Sequence, residues 1–584
     1  MGAVRRIVAL YRPYRGRLIL SQVLLMLSAI CTLGTAALNE TLVNDGLLAG
    51  DTTVIIDTGL WMAVLGIVAG VLLACVALIA VFFSQGTAYA LRSQAYAQVQ
   101  EYSFGNFDEM RTGNLLVRLS SDVTNVANAV LFGVMLLLYA PFMLVVAIGL
   151  ALFTSPGLVW ILLVVAGAVV IAALILIPPM ERAYAERQRR LDEVNNTLQE
   201  NLAGVRVVKA FSREPLEIEQ FDARTDALRK PAFAAAFRVA LLTPVMNTVT
   251  QLGIALTLMV GGQKVVAGDG TTIGQVTAFT QYLSLVVVPL ALAAMIAPYL
   301  LRGATSAARI FEVIDTAPTL PDGGDADVPP TGGARVAFEG VSFAFDTEEG
   351  SSADVLHDID LVIEPGQTLG ILGPTGAGKT ALVNLIPRFY DTRDGRVTID
   401  GVDVRDLPLD RLRSVVGTAL QEAVLFQGDV RENVRFARPD ASDDRIKAAA
   451  RATDAYDFVE SLPQQWDAPV SRRGYNFSGG QRQRLSMARA LVPRPRVLIL
   501  DDSTSALDVA TESRVQAAIP EDMVGATVIY VAQRISAVID LDQIVLMDAG
   551  RIVGCGTHEE LLASSELYRE IFESQLGPIG GSAR

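Results

Sequence analysis

The chain has 584 residues, 51% of them hydrophobic, with 48 Lys and Arg against 62 Asp and Glu and a net charge of −14. That length accommodates more than one domain, and the lack of a long basic block argues against a nucleic-acid partner. The three cysteines (Cys31, Cys75, Cys555) lie far apart, and His357 and His558 are the only histidines, so neither a disulfide framework nor a histidine-rich metal site is indicated.

The mean hydropathy of +0.39 conceals two unlike halves. Up to about Arg302 the sequence runs through long apolar stretches; beyond it come short strands, glycine turns and charge. A transmembrane helix needs roughly 20 apolar residues, and that ruler marks six spans, at 18–43, 55–83, 129–153, 158–177, 239–266 and 273–300. The first is long and lacks a small-residue cleavage site, so it reads as a retained span and not as a signal peptide.

Positive charge orients the spans. The N-terminus carries Arg5, Arg6, Arg12, Arg15 and Arg17, the loop after the second span Arg92, Arg111 and Arg118, and the loop after the fourth runs from Arg182 to Lys230. The first–second connection instead carries Asp45, Asp51 and Asp57. Both termini and both long loops are therefore expected on the cytoplasmic side. The long loops are amphipathic, around Phe107 to Leu115 and around Gly204 to Phe221. Domains are expected at 1–315 (membrane), 316–334 (a Pro-, Gly- and Asp-rich linker with Pro318, Pro321, Pro329 and Pro330), 335–577 (nucleotide-binding) and 578–584 (a flexible tail).

In the second half, the strand-like run 368–372 leads into Gly373-Pro374-Thr375-Gly376-Ala377-Gly378-Lys379-Thr380, a G-x-x-x-x-G-K-[ST] phosphate loop. Its glycines let consecutive N–H groups turn toward one anion, and a following helix adds its positive end. Lys379 would reach the β- and γ-phosphates of ATP and Thr380 would ligate Mg2+. A second apolar strand, 497–501, ends in Asp501, a carboxylate expected beside the metal. Between them, Asn476-Phe477-Ser478-Gly479-Gly480-Gln481 reads as a turn capping a basic helix, with N–H groups suited to a phosphate.

This last motif also resembles, nearly letter for letter, the signature of ATP-binding cassette (ABC) proteins, with Phe477 where leucine is usual. The resemblance covers the chain from the first span to the C-terminal region and is to six-helix exporters of that family. It implies an all-α six-helix transmembrane domain and an α/β P-loop nucleotide-binding domain, the latter a RecA-like core with helical and antiparallel β subdomains. It implies a short coupling helix in each long loop, Phe345 stacking on adenine where tyrosine is usual, and Gln421 contacting Mg2+. Ser505-Ala506-Leu507-Asp508 matches the loop that crosses the dimer interface. Two cassettes would close head to tail, each ATP lying between one phosphate loop and the other chain's signature, Phe477 to Gln481.

Three positions depart from that family's pattern. Asp502 stands where the general-base glutamate is usual, Gln533 where the switch histidine is usual, and Ser471-Arg472-Arg473-Gly474 where Gly-Glu-Arg-Gly is common. A carboxylate one methylene short is misplaced by about 1 Å, which costs on the order of a hundredfold in rate. The expected reading is a heterodimer in which this chain holds a slow ATP site and lends its signature to a partner with the usual glutamate and histidine. Neutral drift in a homodimer, a siderophore importer of the same fold and an ATP-gated regulatory subunit are the alternatives.

The spans carry few ionisable residues, Glu40 and Lys264 near their outer ends, with Asn247, Gln251, Gln281 and Tyr282 as milder polar groups. Scarce intramembrane charge favours an amphiphilic or hydrophobic cargo, a drug or lipid. No peptidase segment precedes the first span, so a peptide-processing exporter is not expected. The acidic, Ala- and Arg-rich composition suggests the inner membrane of a high-GC bacterium.

Overall fold

The computed structural model describes residues 2–10, 14–110, 112–329, 332–345 and 354–577. Arg12, Arg111, Pro330 and the expected tail lie outside them. The chain divides into two compact units: Met1–Gln100 with Gly113–Thr316, and Glu101–Thr112 with Ala317–Arg584.

The first unit is helical throughout. An amphipathic helix α1 (Gly2–Leu10) precedes α2 (Arg15–Thr41), and α3 (Thr52–Glu101) follows. Six helical stretches among the described residues are long and apolar enough to cross a membrane, as expected. Several run far past the hydrocarbon: the 50 residues of α3 extend about 75 Å at 1.5 Å per residue, against a core of about 30 Å. The third span is two helices, α6 (Val123–Leu136) and α7 (Tyr139–Thr154), broken at Leu137 and Leu138. Pro141 explains the break, since its ring crowds the carbonyl four residues earlier and it has no N–H to give. The remaining long helices are α8 (Val159–Ala203), α10 (Glu214–Ala267) and α11 (Ile273–Asp315), with the short α9 (Val205–Ala210) between α8 and α10. In the second long-loop region of the first unit, α9 buries none of its residues. In the first long-loop region, α4 (Phe104–Glu109) and α5 (Thr112–Val117) follow α3.

Leu33, Met143, Ile161, Phe279, Tyr282 and Leu283 make a closely packed membrane-unit core. Tyr282, offered above as a polar group of the spans, is fully buried there. The buried Asp122 accepts hydrogen bonds from Ser306 (2.7 Å) and Arg309 Nε (2.8 Å), tying the start of α6 to α11.

The second unit is built on two sheets. β1 (Val336–Ala344), β2 (Asp354–Ile363), β4 (Asp394–Ile399) and β5 (Val402–Asp403) form an antiparallel sheet in the order β2-β1-β4-β5. The larger sheet takes β3 (Thr368–Leu372), β6 (Val416–Ala419), β9 (Val497–Asp501), β10 (Thr527–Val531), β11 (Gln543–Asp548) and β12 (Arg551–Gly556) in the order β12-β11-β3-β10-β9-β6. Its strands are parallel except β12. Every residue of β9 and β10 is buried, as continuous apolar strands covered on both faces must be. Two short strands, β7 (Gly428–Asp429) and β8 (Pro469–Val470), pair beside a helical region with its own core around Trp466, Leu485 and Leu491.

Composition marks 316–334 as a tether, yet much of it is laid onto the cassette. Val328 and Ala334 are 2% and 0% exposed within the main cassette core. Asn106 of α4 donates to Ala317 O (3.1 Å) and accepts from Thr319 N (3.0 Å), and Ser103 hydrogen-bonds the Thr319 hydroxyl. Phe104 stacks on Phe389 with ring centres 4.3 Å apart, and Tyr390 donates to Asp108 at 2.8 Å. The helix α4 is thus a part of the cassette's own contact network.

Candidate functional site

In open sheets of parallel strands, ligands bind outside the strands' carboxyl ends. Here those ends present the loop after β3, Asp501 and Asp502 at the end of β9, and Gln533 after β10. They meet in one cavity of about 270 Å3, which Phe345, Thr375, Gly378, Lys379 and Gln421 also line.

The phosphate loop owes its path to glycine. Gly376 and Gly378 sit at φ of 86° and 93°, a region L side chains rarely adopt. A Cβ on Gly378 would also come within 2.8 Å of the Leu356 side chain, so that position has no room for one. The helix expected after it is present as α12 (Lys379–Asn384) and spans six residues. Anion binding therefore rests on the loop's N–H groups and on Lys379 more than on a helix end. Lys379 is buried, and its ammonium donates to the carbonyls of Gly373 (2.8 Å) and Pro374 (2.9 Å). Burial pushes its pKa down, against the pull of Asp502 and Asp501.

Thr380 Oγ1 donates to Asp501 Oδ1 at 3.1 Å across 121 residues of sequence. Burial pushes the Asp501 carboxyl above its ordinary range, with the Thr380 bond opposing. Asp502 is likewise raised, by burial first, while Gln421, Lys379 and Arg534 hold it down. Its Oδ2 faces Gln421 Nε2 at 3.5 Å and Gln533 Nε2 at 3.3 Å, both long for hydrogen bonds. The Asp502 backbone is left-handed, φ 46°, a conformation Asp tolerates better than most residues. A hydroxyl, a carboxylate and an amide oxygen form an all-oxygen donor set, which fits a small hard cation that shares its shell with phosphates and water.

Phe345 lies at the cavity's rim, its ring edge-on to Tyr390 with centres 5.2 Å apart and to Phe343 at 4.8 Å. Sequence reasoning did not single out Tyr390. It joins this aromatic cluster to Asp108 of α4, a link no local signal carries.

The signature residues are elsewhere. Ser478, Gly479 and Gly480 line a separate cavity of about 350 Å3 together with Ala506, Leu507 and Asp508. Ser478 caps the helix Gly479–Leu491: its hydroxyl accepts from Gln481 N (3.3 Å) and its own N–H donates to Gln481 Oε1 (2.9 Å). Phe477 is buried in the helical core, edge-on to Phe458. Gln483 connects the two cavities' walls, accepting from Ala506 N (3.0 Å) and donating to Ser505 Oγ (3.1 Å) and Asp502 O (3.4 Å). Arg534, beside Gln533, donates to the carbonyls of Ser505 and Leu507. Within one chain, then, the structure gathers Phe345, Gln421, the phosphate loop, Asp501, Asp502 and Gln533, and leaves the signature in its own pocket. The departing loop has Arg473 in a left-handed conformation, φ 57°, beside a third cavity that Gln421 and Glu422 also line.

Comparison with known proteins agrees with this anatomy. Residues 18–290 match the ABC transporter transmembrane region, and residues 356–505 match the ABC transporter family. The uncharacterized ABC transporter ATP-binding protein YfiC of Bacillus subtilis is 31% identical over 98% of this chain and 94% of its own. The ATP-dependent lipid A-core flippase of Syntrophus aciditrophicus is 31% identical over 98% of this chain and 95% of its own. A bacterial Atm1-family ABC exporter with ATP bound superposes with a TM-score of 0.79 at 25% identity, covering 98% of this chain and 99% of that one.

Proposed function

The chain belongs to the ABC transporter family and is an exporter of it, a multi-pass membrane protein with a cytoplasmic ATP-binding cassette, and from that premise we propose that it forms the slow-site half of a heterodimer. The observation that carries the proposal is the company Asp502 keeps. Two of the three departures from the family pattern, Asp502 and Gln533, touch one another in the same cavity as Lys379 and Thr380. In contrast, the signature Ser478 to Gln481 retains both of its capping hydrogen bonds.

In this reading the loop N–H groups and Lys379 hold the phosphates and Phe345 stacks on the base. Lys379 exchanges its bonds to the Gly373 and Pro374 carbonyls for phosphate oxygens. Thr380, Asp501 and Gln421 would hold Mg2+, which when bound neutralises charge on the phosphates. Asp502 orients water poorly because its carboxylate is one methylene short, and Gln533 offers a hydrogen bond without a cationic state. The residues Ser478 to Gln481 and the loop Ser505 to Asp508 complete the site on the partner's phosphate loop. The exposure of Val207 (61%) and Phe211 (73%) at α9 supports a partner chain that covers them.

The cargo is an amphiphilic or lipid molecule, a reading supported by the scarcity of charge in the spans and by the relatives named as lipid A-core flippases. Both termini face the cytoplasm, and the membrane is a bacterial inner membrane. A homodimer is the second reading, favoured by one observation: the Asp502 carboxylate does reach the cavity, and a raised pKa improves a base. The test is to tag the chain in its host, extract gently and weigh the intact complex by native mass spectrometry. A one-to-one complex with a second half-transporter is expected; a homodimer with brisk ATPase overturns the proposal.

A further inference from the structure

The membrane unit contains an apolar cavity of about 500 Å3, within the range of roughly 300–1,000 Å3 typical of small-molecule sites. Its walls come from four helices: Ile7 and Val8 of α1, Leu18 of α2, Val130 and Val134 of α6, and Leu300 of α11. Among the described wall residues one side chain is polar, Gln22, whose amide nitrogen donates to Val134 O at 3.2 Å and Ser21 Oγ at 3.3 Å while its buried Oε1 has no partner. The cavity therefore offers an occupant almost entirely hydrocarbon contact.

Its rim is basic. Arg15, Leu18 and Gln22 recur at i, i+3 and i+7, so Arg15 lies on the cavity face of α2, one turn nearer the N-terminus than Leu18. Seven residues separate Arg15 from Gln22, a rise of about 10 Å, which is the step from a headgroup into its acyl chains. Arg5 stands three residues before Val8 on α1, the spacing of neighbours on one helix face. Neighbouring arginines have partners: Arg6 pairs with Asp315 and lies 3.9 Å over the Phe311 ring, and Arg17 lies 4.9 Å over Phe82. Arg5 and Arg15 are exposed and have no ion pair among the described residues. Arg15 is also the first residue of α2, where the helix's positive end disfavours a cation unless an anion lies beside it. A hydrocarbon slot beside two exposed guanidinium groups is complementary to an alkyl chain ending in an anionic headgroup, of which a phosphate is the one a bilayer supplies in quantity.

We propose that this cavity binds an anionic phospholipid of the cytoplasmic leaflet, acyl chain inside and phosphate on Arg5 and Arg15, as a resident ligand distinct from the cargo. The ion pair of Arg6 with Asp315 ties α1 to the end of α11. The inference is independent of the heterodimer reading, because it concerns this chain's own helices and needs no nucleotide.

The test is native mass spectrometry of the full-length complex in detergent, without ATP, titrated with dioleoyl phosphatidylglycerol or dioleoyl phosphatidylcholine. One phosphatidylglycerol per copy of this chain is expected, held about tenfold or more tighter than phosphatidylcholine. Arg15→Glu, an exposed helix-end change, should abolish that preference. Gly133→Leu should block both lipids, since a Cβ there meets only Leu300 Cδ2 at 3.7 Å and the larger side chain enters the cavity. Equal affinity for the two lipids, or a preference that survives Arg15→Glu, overturns the proposal. So does loss of the bound lipid upon ATP turnover, which would make it cargo.

Discussion

Lengthening one side chain tests the chemistry of the proposed slow site. Asp502→Glu adds the methylene that the family's general base has and this chain lacks. If the short carboxylate misplaces the attacking water by about 1 Å, the deficit is on the order of a hundredfold, or about 2.7 kcal/mol of barrier. The structure indicates how much of that is recoverable. The Asp502 contacts to Gln421 and Gln533 are long, 3.5 and 3.3 Å, so little is lost by moving the carboxylate outward. Its left-handed backbone, φ 46°, suits Asp better than Glu, and that mismatch of about 1 kcal/mol falls on folding and not on the chemical step. Gln533 remains neutral in the variant, so full recovery needs Gln533→His as well. The expected gain is about tenfold for Asp502→Glu alone, approaching a hundredfold for the pair. The assay is single-turnover hydrolysis of labelled ATP in the assembled complex, with the partner's glutamate changed to glutamine so that only this site is read. An unchanged rate with ATP still bound would refute the reasoning and place the deficit outside the carboxylate's reach.

Three further changes separate the parts of the cassette. Ser478→Arg fills the signature pocket and removes the hydroxyl's capping bond from Gln481 N, so steady-state ATPase of the complex should fall roughly tenfold or more, while nucleotide binding at this chain's own phosphate loop, followed with a fluorescent ATP analogue, stays intact. Tyr390→Phe deletes the 2.8 Å bond to Asp108, a loss of about 1 kcal/mol at a solvent-exposed acceptor; transport per ATP should drop a fewfold with ATPase retained, and an unchanged ratio would remove Tyr390 from coupling. Tyr568 is fully buried, hydrogen-bonds His558 Nδ1 at 2.7 Å, and burial pushes its phenol up to about 12. Above its ordinary pKa of about 10 the unfolded chain loses this proton first, so the unfolded state binds fewer protons and stability falls as pH rises toward 12. Thermal unfolding of the full chain should show that slope, and Tyr568→Phe should lessen it, the raised phenols of Tyr390 and Tyr530 supplying the rest.

What the sequence made legible was local. The phosphate loop, the Asp501 strand and the signature are contiguous strings whose backbone demands are written in glycines, a serine cap and an apolar run. Their meeting place followed from parallel-strand topology, and the six spans followed from length and hydropathy. Long-range relations were not legible. Pro141 signals the break between α6 and α7, but a hydropathy ruler is blind to it. The proline- and glycine-rich stretch 316–334 reads as a free tether because composition carries no information about partners. Val328 and Ala334 are buried only because the cassette core lies against them. The Tyr390–Asp108 bond spans 282 residues, and Ser103 with Asn106 makes a cap that the usual Glu or Gln pattern does not flag.

The grip of Asn106 on Ala317 and Thr319 bears on how such a chain can be recombined. A graft that exchanges the cassette by cutting at the linker leaves α4 behind and strands Phe389 and Tyr390 without Phe104 and Asp108. The module that can be transplanted intact is discontinuous: it starts at Glu101, stops at Thr112 and resumes at Ala317. Chimeras that respect those three seams should keep cargo selection and ATP use connected, whereas single-crossover chimeras should hydrolyse ATP idly.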